Sequence, residues 1–246
     1  SPETAARVEA DFQQDLQEYQ PMNVERVNYS ENLVPCRLQA EGQSGRPSYR
    51  GVNHAYVVVP EDGIVRLKVT TGLVRGRETI LTLEDLDGNE LATVQVPAGT
   101  EDEEVSIEAG RSGLVRLRIE PQGGSAVRIA FGTLAHAAVA SEDNPLTISS
   151  GTRGPLWFYV PAGTARFAVR INTPDHHGRL RVFAPDSAMV LDESGDYVMG
   201  EAFAVDVPEG MGGRLWSLTI DKCEDSGLAL IGVPPLVAQS PDALLV

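Results

Sequence analysis

The feature that most constrains this chain is an internal repeat, because its second half restates the apolar pattern of the first about 100 residues later. The run from Tyr56 to Pro60 matches the run from Trp157 to Pro161. Four further sets match in the same order: Val65, Leu67 and Val69 with Ala165, Phe167 and Val169; Leu81, Leu83 and Asp87 with Leu180, Val182 and Asp186; Val105 and Ile107 with Phe203 and Val205; Leu117, Ile119, Ile129 and Phe131 with Trp216, Leu218, Leu228 and Leu230. The spacing changes by single residues between strands, as loops of different length in two copies of one fold require.

From about residue 50 onward, apolar residues recur with a period of two, which is typical of strands with one buried face. Leu114–Ile119 is a clear case, with apolar residues alternating with arginines. Turn-forming runs such as Pro60–Gly63 and Asp85–Gly88 separate the strands. Short strands at this spacing indicate a sandwich or a barrel.

These patterns predict an all-β chain of two tandem β-sandwich domains, jelly-roll or immunoglobulin-like, with the same topology. The predicted boundaries are 45–135 for the first sandwich and 150–235 for the second. Residues 236–246 are assigned to a C-terminal tail. The joint, 137–154, is rich in small and polar residues.

An amphipathic helix is predicted at the front of the chain, within an N-terminal segment of helix and connector at 1–44. Apolar residues over 2–20 recur at spacings of three and four, and Pro21 ends the pattern. A lone helix of this length is marginal in water, so its apolar stripe needs a partner. Two partners stay open: the rest of this chain, or an upstream domain.

Composition excludes some function classes. The chain has 246 residues and a net charge of −15, which argues against nucleic-acid binding, because that needs a basic face. No apolar run approaches the length that spans a bilayer. The start, Ser1–Thr4, has no signal-peptide pattern, which fits either a cytoplasmic protein or a processing boundary. The two cysteines, Cys36 and Cys223, are either unrelated thiols or one disulfide.

The second repeat resembles the bacterial pre-peptidase C-terminal type of module. The resemblance rests on an aromatic-rich strand and its turn, a strand entering an Ala-Pro-Asp-Ser turn, a Gly-led strand and a short final strand: 157–164, 179–187, 213–220 and 228–230. It implies a non-catalytic β-sandwich appended to a secreted bacterial hydrolase, with an extracellular, periplasmic or cell-surface location. It supplies no catalytic residues.

No catalytic motif is present: the sequence lacks a GxSxG elbow, an HExxH pair and a P-loop. The chain is therefore predicted not to be an enzyme. Metal binding is a minor alternative. Asp85 and Asp87 resemble the start of a calcium loop whose twelfth-position glutamate is missing, and His176 belongs to the only histidine pair. No cofactor is expected, and calcium binding is kept as an alternative.

Three aromatic residues are candidate ligand contacts. Trp157 and Tyr159 lie on one side of a strand that is apolar on both faces, and Tyr197 lies further along the chain. Aromatic rings of this kind can stack on sugars. Trp216, in contrast, is predicted to be a core residue, because its repeat match lies on the apolar face of an alternating strand.

The leading hypothesis is a non-catalytic accessory pair that acts as a spacer or stabilising module in a larger secreted or cell-surface bacterial protein. Its expected partner is an upstream domain of the parent chain. The alternative is a carbohydrate-binding module of a glycan-active enzyme, with polysaccharide as partner. A second alternative is an enzyme whose active site lies at the domain interface.

Overall fold

The computed structural model describes residues 24–25, 32–38, 40–175 and 177–246. The helix predicted within 2–20 lies outside them. The described residues form an almost purely β structure, which confirms the predicted fold class. The strands are β1 (Ser48–Arg50), β2 (Asn53–Val59), β3 (Ile64–Leu73), β4 (Thr79–Glu84), β5 (Glu90–Val96), β6 (Glu103–Glu108), β7 (Gly113–Pro121), β8 (Ala126–Ala130), β9 (His136–Val139), β10 (Leu146–Ser149), β11 (Leu156–Val160), β12 (Arg166–Asn172), β13 (His177–Phe183), β14 (Met189–Asp196), β15 (Glu201–Asp206), β16 (Arg214–Asp221), β17 (Asp225–Ile231) and β18 (Leu236–Val237).

Three antiparallel sheets form two stacked layers. The first layer is one eight-stranded sheet in the order β15-β12-β17-β10-β1-β8-β3-β6. The second layer contains a six-stranded sheet, β18-β9-β2-β7-β4-β5, and a four-stranded sheet, β11-β16-β13-β14. Within these sheets, β1–β8 are arranged in the same order as β10–β17. Each half of the chain therefore contributes four strands to the first layer and four to the second in the same arrangement. The boundaries 45–135 and 150–235 themselves stay a prediction.

The two halves share backbone hydrogen bonds in both layers. In the first layer, β1 pairs with β10, the equivalent strand of the other half, through Ser48 with Ser149 and Tyr49 with Ile148. In the second layer, β9 and β18 extend the first half's sheet. The residue after β18, Ala238, then exchanges two hydrogen bonds with Trp157 on β11, at 2.8 and 2.9 Å. The sandwich is therefore continuous from one end to the other.

Between the layers lies an apolar core to which every long strand contributes its inward residues. Trp216 is fully buried there, as predicted. Its ring meets Phe167 edge-on, with ring centroids 5.3 Å apart. Its indole N–H donates a hydrogen bond of 3.0 Å to the carbonyl of Met211, so the polar atom of this large side chain is also satisfied.

The strand pairings correct one detail of the sequence repeat. The sequence comparison matched Trp216 with Leu117. In the structure, Val57 pairs with Val115 while its repeat match Phe158 pairs with Trp216, so Trp216 is equivalent to Val115. The two-residue slip left the burial prediction intact, because positions two apart on a strand face the same side.

A second, smaller apolar cluster covers the outer face of the second layer. We call it the cover cluster; its buried members are Tyr56, Ala137, Trp157, Leu215, Leu236, Ala238, Leu244 and Leu245. The chain end lies over it, because Val246 and Val34 exchange backbone hydrogen bonds of 2.9 and 3.0 Å. The predicted tail, 236–246, thus contributes a strand and buried side chains. The two cysteine thiols are free, with Cys36 packed against the cover cluster.

Candidate functional site

Two of the three aromatic residues predicted to bind a ligand, Trp157 and Tyr197, are buried. Trp157 is 8% exposed, and its indole N–H donates to the carbonyl of Gln43 at 3.0 Å. Gly42 lies so close that an added Cβ would fall 2.1 Å from the Trp157 ring, so only glycine fits there. Tyr197 is 5% exposed and packs edge-on against Phe203. Neither of these two buried rings offers a free stacking surface for a sugar, and ligand binding by the three aromatic residues stays a prediction.

Tyr159 lies apart from Tyr197, on β11 next to the cover cluster. It is partly buried and lines an apolar cavity of about 410 Å³ with Leu33, Cys36 and Leu236. Trp157 and Tyr159 are therefore neighbours on one strand, as the sequence indicated, while Tyr197 lies beyond β14. The structure does not bring the three together as one platform.

Of the residues predicted as metal ligands, Asp85 and Asp87 lie in one turn, between β4 and β5. Asp85 closes the turn after β4: its carboxylate accepts hydrogen bonds from the backbone and side-chain nitrogens of Asn89, both 2.8 Å long. These bonds lower the pKa of Asp85. Asp87 lies exposed in the same turn, and His176 lies outside the described residues. Within the described ranges, no group of three or more His, Cys, Asp or Glu side chains is placed to hold a metal ion.

The polar features that sequence reasoning missed lie on the outer face of the eight-stranded sheet. The larger is a cavity of about 560 Å³ that we call the arginine hollow; among the residues that line it are Arg46, Thr70, Glu101, Asp102, Arg128 and Gln239. Arg128 reaches this face because Val127 and Ile129, on either side of it in β8, are buried in the core. Its strand partner is Ser48, two residues after Arg46.

Two arginines, Arg46 and Arg128, line the arginine hollow, and a third, Arg153, lies near them. The N–H of Arg46 donates to the carbonyl of Thr152 at 3.0 Å, and Arg153 follows Thr152 directly in the chain, so it lies close to the hollow. Burial lowers the pKa of Arg128, and the nearby charges of Arg153 and Arg46 lower it further. Among the described residues, none of the three forms an ion pair with a carboxylate. The site is thus a local cationic cluster in an acidic chain.

Gln239 connects the arginine hollow to the buried interior through hydrogen bonds. Its side-chain amide donates to the carbonyl of Ile129 at 2.7 Å and to the hydroxyl of Tyr49 at 3.3 Å. Its backbone N–H donates to Nε2 of His136 at 3.4 Å, and Nδ1 of that ring lies 2.9 Å from the carbonyl of Leu134. His136 must therefore carry its proton on Nδ1 and stay neutral, stacked 3.9 Å from Phe131.

Acidification is expected to destabilise the fold through His136. Burial lowers its pKa from 6.5 to about 4, so between these values the unfolded chain binds a proton that the folded chain does not. The free energy of unfolding should therefore fall by about 3 kcal/mol as pH drops from 6.5 to 4. Urea titrations at half-unit pH steps measure this loss.

His136→Gln should flatten most of that pH dependence, whereas His177→Gln, on the surface, should leave it in place. Some dependence will persist in His136→Gln, because burial also lowers the pKa of half-buried His54. An unchanged pH dependence in His136→Gln would show that the ring does not control acid stability.

A second hollow lies on the same sheet in the other half of the chain. Its volume is about 320 Å³, and Glu142, Thr147, Arg170, Asn172 and Asp225 are among its lining residues. Asp225 accepts a hydrogen bond from Arg50, and Asn172 donates to the carbonyl of Val198 at 2.6 Å. This hollow therefore mixes groups that already have partners with the exposed side chain of Arg170.

Comparison with known proteins gives distant structural likenesses only. No family model and no curated protein matches the chain. The M60 catalytic domain with the CBM51-1 and CBM51-2 domains from Clostridium perfringens ZmpB is 9% identical, with a TM-score of 0.27, over 88% of this chain and 39% of that one. This chain thus spans about two fifths of the ZmpB structure.

Two further solved structures have similar coverage. The N-terminal CBM22-1-CBM22-2 tandem domain from Paenibacillus barcinonensis Xyn10C is 11% identical, with a TM-score of 0.18, over 82% of this chain and 80% of that one. Coconut allergen cocosin is 10% identical, with a TM-score of 0.21, over 90% and 87%. Such values decide no function, and the likeness to pre-peptidase C-terminal modules stays a prediction.

The described residues contain no helix long and apolar enough to cross a membrane.

Proposed function

We propose that the chain is a rigid, non-catalytic β-sandwich pair that acts as a spacer or stabilising module in a larger secreted or cell-surface bacterial protein. It would hold an upstream domain of the same parent chain in position and would need no cofactor. The observation that carries the proposal is the continuity of both layers across the two halves. Backbone hydrogen bonds in two layers resist both hinge and twist motions.

Burial of the aromatic rings supports a spacer over a stacking platform. Among the described residues, the large hydrophobic side chains that are clearly exposed are all aliphatic: Val34, Leu38, Val52, Val74, Leu86, Met189, Val198 and Met199. A module that recognises sugars by stacking needs at least one ring face open to solvent.

Single-molecule energy transfer tests the rigidity directly. In a chain with Cys36 and Cys223 changed to serine, Glu103 and Glu201 are each replaced by cysteine and labelled with fluorescent dyes. These positions lie on β6 and β15, the two edge strands of the eight-stranded sheet. Seven strand spacings place these edges about 34 Å apart. A rigid spacer should give one narrow distance distribution, as narrow as that of a reference pair at Glu103 and Val52 within one half. A broad distribution for the cross-half pair alone would contradict the proposal.

Polysaccharide binding is the second candidate, and the second hollow is the observation that favours it. An exposed guanidinium, a hydroxyl and carboxylates suit the hydroxyl groups of a sugar. Affinity gels with a panel of polysaccharides, with and without calcium, test this. Retention that Arg170→Ala abolishes and Arg214→Ala, on the other layer, preserves would support binding. Unretarded migration on every gel would contradict it.

A further inference from the structure

We propose that Arg46, Arg128 and Arg153 form a binding site for a single oxyanion group, a carboxylate, sulfate or phosphate, at the arginine hollow. This inference is independent of the spacer proposal, because it concerns one cationic surface and not the junction of the halves. The three side chains come from the segment just before β1, from β8 and from the loop before β11, and folding brings them together.

The charge balance is the first argument. Acidic residues outnumber Lys and Arg by 35 to 20, so carboxylate partners are plentiful. Other arginines of the described part use them: Arg66 pairs with Asp62, Arg166 with Asp206 and Arg179 with Asp192. The cluster at the hollow instead keeps like charges together, at an electrostatic cost that a bound anion removes.

Unused hydrogen-bond donors are the second argument. Nε of Arg128 and the hydroxyl of its strand partner Ser48 are both buried and have no hydrogen-bond partner among the described residues. Buried donors without partners cost stability, so a native site that keeps two side by side calls for an acceptor. Planar guanidinium groups match the oxygens of carboxylate, sulfate and phosphate.

The rim of the hollow limits the size of the anion. Glu101 and Asp102 both line it, and of the two Asp102 forms an ion pair, with Lys68 at 3.8 Å. These carboxylates repel a long polyanion that must cross the rim. A single charged group can enter, because at physiological salt the other charges of the chain are screened beyond about 8 Å.

Side-chain nitrogen–proton NMR of the arginines tests the site. Sodium sulfate, sodium phosphate, glucuronate and glucose 6-sulfate are titrated at constant ionic strength, balanced with chloride. We expect saturable shifts of the Arg128 Nε–H signal in wild type. Arg128→Gln should weaken binding of the anion at least tenfold. In this variant, binding is measured from the side-chain signals of Arg46 and Arg153. Arg66→Gln, on the same face of the same sheet, should bind as wild type does.

A thermal measurement separates binding from a structural role. Without anion, Arg128→Gln should raise Tm by about 2–4 °C, because it removes a crowded charge; a structural arginine would lower Tm when replaced. Tighter binding of glucuronate or glucose 6-sulfate than of the inorganic ions would indicate an anionic sugar; the reverse order would indicate a free ion. Shifts that do not saturate, or that are equal in Arg128→Gln, overturn the proposal.

Discussion

Trp216→Ala is expected to lower the free energy of unfolding by about 3–5 kcal/mol, the range typical of a large aromatic removed from a core. The ring is fully buried, and the void would open beside Phe167. The carbonyl of Met211 would also lose its indole donor. Guanidinium unfolding should show a lower midpoint with an unchanged dependence on denaturant.

Met199→Ala is the matched control, because this large side chain is 87% exposed and should change stability by less than about 0.5 kcal/mol. A loss below about 1 kcal/mol in Trp216→Ala would mean that the core between the layers is not packed as described.

Leu244→Ala should lower the free energy of unfolding by about 2–5 kcal/mol, although only Leu245 and Val246 follow it in the sequence. Its side chain is fully buried in the cover cluster, and its carbonyl accepts the N–H of Cys36 at 2.7 Å. In a Trp216→Phe background, Trp157 is the only tryptophan. Its fluorescence should then shift to longer wavelength as the cover loosens and water reaches the ring.

Leu38→Ala is the control for this experiment, since Leu38 is 39% exposed and lies at the surface. Stability and fluorescence that match this control would show that the chain end does not hold the cover cluster in place.

Much of the fold could be predicted from the sequence, because alternation records which face of a strand is buried. In β7 the residues Val115, Leu117 and Ile119 are fully buried, as the pattern with intervening arginines predicted. The same logic placed Trp216 in the core even though its repeat match was two residues out of register. Alternation of apolar and polar residues shows which side of a strand is buried. A register error of two residues leaves that side unchanged.

The contacts between the halves could not be predicted in this way. Strand β1 has three residues and pairs with β10 through backbone atoms, which any sequence supplies. The cover over Trp157 depends on segments that lie far apart in the sequence and have no shared pattern. Trp157 and Tyr159 were therefore predicted as ligand contacts from the two apolar faces of their strand, because the sequence does not show that the second face is covered.

The arginine hollow was equally invisible in the sequence. Its three arginines are far apart along the chain, and no motif links them. Only the β1–β8 and β1–β10 pairings place them at one point. The spacing of neighbouring residues predicts sites that lie on a single turn or helix face. This site combines residues from separate segments that pair in a sheet, so their spacing in the sequence does not show it.

The β1–β10 pairing also bears on solubility. If the chain were cut between β9 and β10, each half would carry a first strand with unpaired N–H and C=O groups along one side, a template for aggregation. In the intact chain these two edges meet each other. The short connection, residues 140–145, keeps them at a high effective concentration, so that intramolecular pairing outcompetes pairing with a neighbouring molecule. Joining the two halves in one polypeptide thus protects the edge that each half would otherwise expose.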